Sequence, residues 1–371
     1  MEKHLHIVCL DVPYPVNYGG VFDLFYKIKC LHAKGILIHL HCFEYGRGEQ
    51  EELDKYCSSI NYYKRNKGLA GLSLSLPYIV SSRANKKLLD NLLLDKHPIL
   101  LEGIHCAYFL YTGQLKNRKV FLRLHNVEYE YYRNLAIAEH TIKKVYFLWE
   151  SRMLKRFEKK IASSATLLAV TVRDARKYES DFQSKDVRVL QLFLPWSEVS
   201  GQPGQGSYCL YHGNLSVAEN EMAATWLLNH LGGRTLIPLI IAGGKASKKL
   251  KALAKLKGVQ IEEAPQEKRM EELIAGAHIN ILPSFNTTGI KIKLLNALFN
   301  GRHCLVNDAT DKGTGLEGMS HHANTPEEFR NKIHALVITP FSEQEKQLRN
   351  TELIGQYNNQ QNAEKLIAWI Y

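Results

Sequence analysis

Short runs of β-branched and aliphatic residues alternate with stretches of helical periodicity along this chain, and the alternation starts twice. The first series places strands at His6–Leu10, Ile36–Phe43, Ile99–Leu101, Val120–Leu124 and Thr166–Thr171, with a helix over about Gly20–Lys34 between the first two. The second begins after the cluster Gly201-Gln-Pro-Gly-Gln-Gly206 and places strands at Tyr208–Tyr211, Leu236–Ala242, Val259–Glu262, Ile279–Leu282 and Cys304–Val306. Parallel strands need a crossover, usually a helix, so this order predicts an α/β protein with two parallel sheets covered by helices. The Gly/Pro cluster reads as the linker between a first domain over 1–200 and a second from 201. A chain of 371 residues also exceeds what one hydrophobic core usually serves. Open parallel sheets take ligands outside the carboxyl ends of their strands, so two of them are expected to face a cleft, with the chemistry in the strand-to-helix loops.

Composition excludes several classes. With 45% hydrophobic and 23% charged residues the chain is neither a disordered tail nor a disulfide-stapled mini-protein. Its seven cysteines are scattered through apolar runs without the paired spacing of a zinc or redox motif, and read as buried thiols in a reducing compartment. The apolar run Leu5–Leu10 lacks the flanks of a secretory signal, and Leu69–Val80 falls short of the roughly 20 residues that span a bilayer. The expectation is a cytoplasmic protein, soluble or peripheral on the inner membrane face.

The net charge of +11 is uneven: residues 1–200 hold 30 Lys+Arg against 21 Asp+Glu. The excess concentrates around Leu69–Val80, in Lys64, Arg65, Lys67, Arg83, Lys86 and Lys87, and again in Lys143–Lys160. Basic groups beside apolar ones suit an anionic membrane surface or a phosphate-bearing partner, and they equally suit an ordinary solvated helix face. The stripe Ile142, Val145, Trp149, Met153, Phe157 and Ile161 has helical spacing and reads first as core. No zinc-finger, RNP-type or basic-zipper pattern accompanies the charge, so nucleic acid is not an expected partner.

Four loops could carry chemistry. Asp11-Val-Pro-Tyr-Pro-Val-Asn-Tyr-Gly-Gly20 ends at a helix start, where glycines permit close approach of a phosphate to helix amides, or simply make a tight turn. Arg123-Leu-His-Asn-Val-Glu-Tyr-Glu-Tyr-Tyr132 places a His-Asn pair after a strand, as a ligand contact or a satisfied structural histidine. Tyr211-His-Gly-Asn-Leu-Ser-Val-Ala-Glu-Asn220 leaves the first strand of the second half. In Pro283-Ser-Phe-Asn-Thr-Thr-Gly-Ile-Lys-Ile-Lys293 a strand hands over to a helix expected to start near Gly289, with the amides of Thr288–Ile290 aimed at an anion. Lys291 and Lys293 would then sit in the first turn, where cations oppose the helix dipole at about 0.3–1 kcal/mol each, so a bound polyanion accounts for them better than stability does. Solvent exposure of Lys291 and apolar packing of the Lys293 stem form the plainer account. No Ser-His-Asp, Cys-His or HExxH arrangement can be assembled, which argues against an enzymic nucleophile and a catalytic metal.

As a set and in this order, these loops, with Leu-Ile-Ile-Ala-Gly243, Lys293-Leu-Leu-Asn-Ala-Leu-Phe-Asn-Gly301 and Gly313-Thr-Gly-Leu-Glu317, resemble the GT-B glycosyltransferases of the retaining family-4 type. Among these they resemble bacterial sequences of the Bacteroides group described as glycosyltransferases or mannosyltransferases of surface-polysaccharide synthesis. The resemblance implies two Rossmann-like domains, an acceptor-binding one over 1–200 and a donor-binding one over 201–350, with 351–371 as a helix crossing back to the first. It implies transfer of a sugar from a nucleotide-sugar to a hydroxyl of a lipid-linked or oligosaccharide acceptor, with retention and without a metal or other cofactor. His125 would be catalytic, close to the donor sugar. Gly19, Gly20, Gly213, Asn214, Thr288, Gly289, Ile290, Lys291, Lys293 and Asn296 would bind the donor, and Asn126 and Glu128 the acceptor. Several positions depart from the family pattern. Its paired glutamates fall at Thr288 and Asn296, its frequent basic pair at Asn214 and Asn220, and an arginine of the opening helix at Asp23. Those losses support an alternative, a catalytically silent GT-B protein that binds a nucleotide-sugar or a partner transferase.

Overall fold

A computed structural model describes residues 2–16, 19–139 and 141–371. It divides into two compact units, one of Met1–Ala136, Thr141–Pro195 and Tyr357–Tyr371, the other of Ile137–His140 and Trp196–Gln356. The first unit holds strands β1 (Lys3–Cys9), β2 (Ile36–Phe43), β3 (Ser59–Tyr63), β4 (Ile99–Glu102), β5 (Val120–Leu124), β6 (Thr166–Ala169) and β7 (Val187–Val189), in the order β3-β2-β1-β4-β5-β6-β7. The second holds β8 (Cys209–Gly213), β9 (Leu239–Gly243), β10 (Gln260–Glu263), β11 (Ile279–Ile281), β12 (His303–Val306) and β13 (His321–His322), in the order β10-β9-β8-β11-β12-β13. All pairings within both sheets are parallel. The strand order reverses between β1 and β4, and again between β8 and β11, which marks one switch point per sheet.

Helices on both sheet faces explain why the strand segments read as nearly continuous apolar runs. In β4, Ile99 and Leu101 join one core with Phe157 and Tyr178, while Leu100 between them joins the opposite core with Leu24 and Ile28. This is the two-residue alternation of a strand, with each face supplied by a different helix set. The second core also takes Ala363, Leu366 and Ile370 from the helix Asn359–Ile370, which lies on the helix Gly19–Ala33 through a Lys34–Glu364 ion pair at 2.6 Å.

Three strands lie outside the expected runs: β3, β7 and β13. Each is an edge strand with one neighbour, and their residues are mostly half-buried, so no apolar run announces them. The stripe over 142–161 forms the helix Lys143–Ile161, but only its carboxyl half is core. Met153, Phe157 and Ile161 are buried, whereas Ile142 and Val145 face solvent.

The first unit also buries four charges together. Asp23 Oδ2 accepts from Lys27 Nζ at 2.9 Å and from Arg123 Nε at 3.1 Å, while Lys27 also reaches Glu102 Oε1 at 2.7 Å. Arg123 donates further to the carbonyls of Leu190 and Gln191, and the Phe193 amide donates to Asp23 Oδ1 at 2.9 Å. These bonds join the first helix, β4, β5 and the segment after β7. Burial works against the Asp23 carboxylate, but the Arg123 and Lys27 charges overcome it and hold its pKa below the usual range. Breaking one partner leaves an uncompensated buried charge. Asp23→Asn should therefore cost about 3–5 kcal/mol in urea unfolding, against less than about 1 kcal/mol for Asp186→Asn in the exposed Arg188–Asp186 pair. Equal losses would remove the quartet from the fold's foundations.

Candidate functional site

In the second unit β8 and β11 run side by side at the switch point, and their carboxyl ends lead into residues 214–217 and 282–291. The helix after β11 spans Ile292–Asn300, three residues later than the sequence suggests. Gly289 has φ +66°, a left-handed conformation that ends rather than opens a helix. The Thr288 amide donates to Asn286 Oδ1 at 3.0 Å, so it is engaged inside the loop instead of awaiting an anion. The helix-opening amides are accordingly those of Ile292 and Lys293, since the Leu294 amide already returns to the Lys291 carbonyl at 2.8 Å.

The loop is held by a carboxylate that sequence reasoning passed over. Glu219, in the first turn of the helix Ala218–His230, accepts from Ser284 Oγ at 2.9 Å and from Asn286 Nδ2 at 3.4 Å. The Ser284 amide donates to Asn307 Oδ1 at 2.9 Å, which ties the same loop to the end of β12. Glu219 follows β8 in the loop sequence singled out above, and its place at a helix start was the available signal.

Lys291 caps the helix rather than lying in its first turn. Its Nζ donates to the Thr288 carbonyl at 2.8 Å and stands 4.0 Å from Glu219 Oε1. Lys293 donates to Tyr211 Oη at 3.2 Å and to Asn220 Oδ1 at 3.0 Å, both neutral oxygens. Burial, partly offset by Glu219 and aided by the Lys291 charge, brings its pKa down to about 8. Asn220 donates onward to the Asn214 carbonyl at 3.0 Å. Gly213 and Gly243 approach so closely that a Cβ on Gly243 would collide with the Gly213 carbonyl. The structure thus gathers Gly213, Asn214, Thr288, Gly289, Lys291 and Lys293 around β8 and β11. Asn296 stands one turn further in, with Oδ1 accepting from Asn300 Nδ2 at 2.8 Å. Ile290 is a half-buried member of the same loop.

In the first unit Gly19 and Gly20 open the helix Gly19–Ala33, and Asn17 and Tyr18 of that loop lie outside the described residues. Arg47 secures the preceding segment through Asp11 at 3.2 Å and the Pro15 carbonyl at 2.5 Å. His125 follows β5, is partly exposed, and has Nε2 3.1 Å from Glu102 Oε2. A carboxylate there accepts, so Nε2 carries a proton and the bond fixes the ring's orientation. Burial would raise the Glu102 pKa, but Lys27 and His125 prevail and hold it below the usual range. Asp23, Glu102 and His125 bring donor atoms within 4.8 Å of one another, yet Lys27 and Arg123 already neutralise both carboxylates and leave a divalent ion no uncompensated charge. Glu102 and Lys27 are further residues the sequence did not single out, although a carboxylate closing the apolar run Ile99–Leu101 was visible.

Asn126 donates to Glu128 Oε1 at 3.3 Å. Glu128 is buried, and burial pushes its pKa up to about 7 despite the Asn126 bond. Behind it Glu158 accepts from the Glu128 and Tyr129 amides at 2.9 and 3.0 Å and from Tyr178 Oη at 2.6 Å. Burial likewise raises Glu158 to about 8. Both folded-state values exceed the ordinary 4.5, so the native state holds protons that the unfolded chain releases between pH 4.5 and 8. Stability from this pair is full below that window and declines as pH rises through it. Relative to the native chain, Glu158→Gln should flatten the decline by about 2–4 kcal/mol between pH 5 and 9 in chemical denaturation. Parallel curves for both proteins would show that Glu158 is ionised throughout.

Known proteins share this architecture. Residues 206–338 match the sequence pattern of the family Glycosyl transferases group 1. A Klebsiella pneumoniae protein, "Uncharacterized 44.6 kDa protein in cps region", is 27% identical over 332 residues, covering 83% of this chain and 84% of the relative. Sucrose-phosphate synthase from Thermosynechococcus elongatus superposes with a TM-score of 0.76 at 11% identity, over 99% of this chain and 98% of that one. WaaG, a glycosyltransferase involved in lipopolysaccharide biosynthesis, gives a TM-score of 0.68 at 13% identity over 99% of both chains. Anabaena Alr3699/HepE, in complex with UDP-glucose, gives 0.65 at 11% identity over 99% of both. The two parallel sheets with their helices are therefore the α/β fold of GT-B glycosyltransferase structures, and the second unit carries the Glycosyl transferases group 1 pattern across 206–338.

Proposed function

We propose that this protein transfers a sugar from a nucleotide-sugar to a hydroxyl of a lipid-linked or oligosaccharide acceptor, with retention and without a metal, in cell-surface polysaccharide synthesis. The observation that carries the reading is the half-buried Lys293 ammonium, held by two neutral oxygens beside the amides that open the Ile292–Asn300 helix. A nucleoside diphosphate leaving group gains negative charge as the glycosidic bond breaks. A fixed cation and fixed dipoles stabilise that charge without reorganisation. The departing phosphate would take the acceptor's proton, so no enzymic nucleophile is needed. His125, its ring fixed by the Nε2 bond to Glu102, leaves Nδ1 for a contact with a sugar oxygen. The polysaccharide setting is supported by the cps-region relative and by WaaG, a glycosyltransferase involved in lipopolysaccharide biosynthesis, and the nucleotide-sugar by the HepE complex with UDP-glucose.

The silent reading keeps one specific observation in its favour. Thr288 and Asn296, uncharged where the resembling family has glutamates, are turned to loop and helix partners here. A panel of nucleotide-sugars tests the two readings. The transferase should slowly hydrolyse one donor, whereas tight binding of a donor with no turnover for any acceptor would establish the silent protein. Affinity for a nucleotide-sugar, whose diphosphate carries its full charge throughout this range, should be level below about pH 7 and fall above about pH 8 as the Lys293 ammonium loses its proton. Lys293→Met should cost about 1–3 kcal/mol of that affinity and remove the alkaline fall in calorimetry. An unchanged affinity and pH profile would take Lys293 out of the site.

For attachment to an anionic membrane face, the support is a surface of the first unit on which Leu69, Leu72, Leu74, Ile142 and Val145 are exposed among Lys64, Lys67, Lys143 and Lys144. The two segments are linked, because the Ile79 amide donates to Glu150 Oε1 of the Lys143–Ile161 helix at 3.1 Å. Among the described residues no helix is long and apolar enough to cross a membrane. Co-sedimentation with anionic vesicles should fall at least tenfold in Leu69→Ser/Leu74→Ser and weaken with salt. Equal sedimentation with neutral and anionic vesicles would refute the charge component.

A further inference from the structure

We propose that His303, His321 and Glu345 form a structural site for a zinc-type divalent cation in the second unit. The inference stands independently of the transferase reading. Three separate elements converge: His303 opens β12, His321 opens β13, and Glu345 lies in the first turn of the helix Glu343–Gln356. His303 Nε2 is 2.9 Å from the Thr339 carbonyl, which can only accept, so Nε2 carries the proton and Nδ1 of the neutral ring presents a lone pair. This is the outer hydrogen bond that orients a ligating histidine. Glu345 is fixed just as firmly. Its Oε2 accepts from the Ser342 amide and hydroxyl, both at 2.9 Å, while Ser342 Oγ accepts from the Glu345 amide at 3.1 Å, a reciprocal cap that leaves Oε1 turned toward the histidines.

The three facing atoms have the spacing of a coordination shell. His303 Nδ1 lies 3.1 Å from His321 Nε2 and 3.4 Å from Glu345 Oε1, and the latter two are 4.0 Å apart. A point equidistant from all three lies about 2.1 Å from each, which is the length of zinc bonds to imidazole and carboxylate. A tetrahedral shell with such bonds spaces its ligands about 3.4 Å apart, so sub-ångström shifts complete the arrangement and leave a fourth position for water. Entry is from the side of His321 and Glu345, which are 30% and 36% exposed, while His303 is fully covered. Arg349, Lys332 and His278 oppose positive charge nearby. That opposition disfavours calcium or magnesium, which bind by charge to oxygen sets, and leaves an ion that bonds imidazole. The role is structural, because the site sits at the amino ends of β12 and β13, and the loop held by Asn307 sits at the carboxyl end of β12. The ion would fasten the edge strand and the helix to the sheet.

The experiment is a titration of the metal-stripped full chain with Co2+ and Zn2+, read by visible d–d absorption and by the melting temperature. One equivalent should bind with tetrahedral-type absorption, and Zn2+ should raise the melting temperature. His321→Asn and Glu345→Gln alter partly exposed side chains, and circular dichroism checks that each folds. Each should weaken Co2+ binding at least tenfold and abolish the Zn2+ shift. Absence of stoichiometric binding would overturn the proposal. So would identical titrations of the native chain and both variants, which would send the ion to His4, His39 and His97, whose nitrogens also lie within 4.8 Å of one another.

Discussion

A half-buried ammonium group whose hydrogen bonds go to neutral oxygens is an incomplete arrangement. Lys293 has Tyr211 and Asn220 as partners, and the nearest carboxylate, Glu219, spends its oxygens on Ser284 and Asn286. The desolvation cost is visible in the lowered pKa. An anion at this position, as proposed above, would offset part of that cost. The helix start and the bonds to Tyr211 and Asn220 hold the charge in place.

The first unit solves the opposite problem. Four of its buried charges are balanced among themselves, with Asp23 and Glu102 set against Lys27 and Arg123. Such a set fixes geometry rather than attracting ligands. Its link to the proposed site is one bond, from His125 Nε2 to Glu102, which orients the histidine ring. The arginine expected in the opening helix and the aspartate found there are thus not a simple loss. Asp23 repays its charge by anchoring Arg123, the residue that begins the His-Asn loop.

Much of this was legible in the chain. Ile36–Phe43 and Val120–Leu124 were read at their observed limits because strands buried on both faces advertise themselves as unbroken apolar runs. The edge strands β3, β7 and β13 were not, since an edge needs no such run. The helix start was misplaced at Gly289 because glycine and the following Lys-Ile-Lys pattern fit a helix N-terminus by composition, while the Asn286 side chain that claims the Thr288 amide acts at a distance of two residues and leaves no periodic trace. Glu219 and Glu102 were hidden for another reason. Their importance comes from partners 65 and 23 residues away, a relation that only the fold creates.

The chain returns at Tyr357–Tyr371 to a unit it began at its other end, and Ala363, Leu366 and Ile370 finish a core started by Leu5 and Ile7. Translation therefore delivers the pieces out of order. While the chain grows, part of one face of the earlier sheet stays uncovered until Tyr357–Tyr371 has been made, whereas Trp196–Gln356 is complete beforehand. The half made first is therefore the half that matures last.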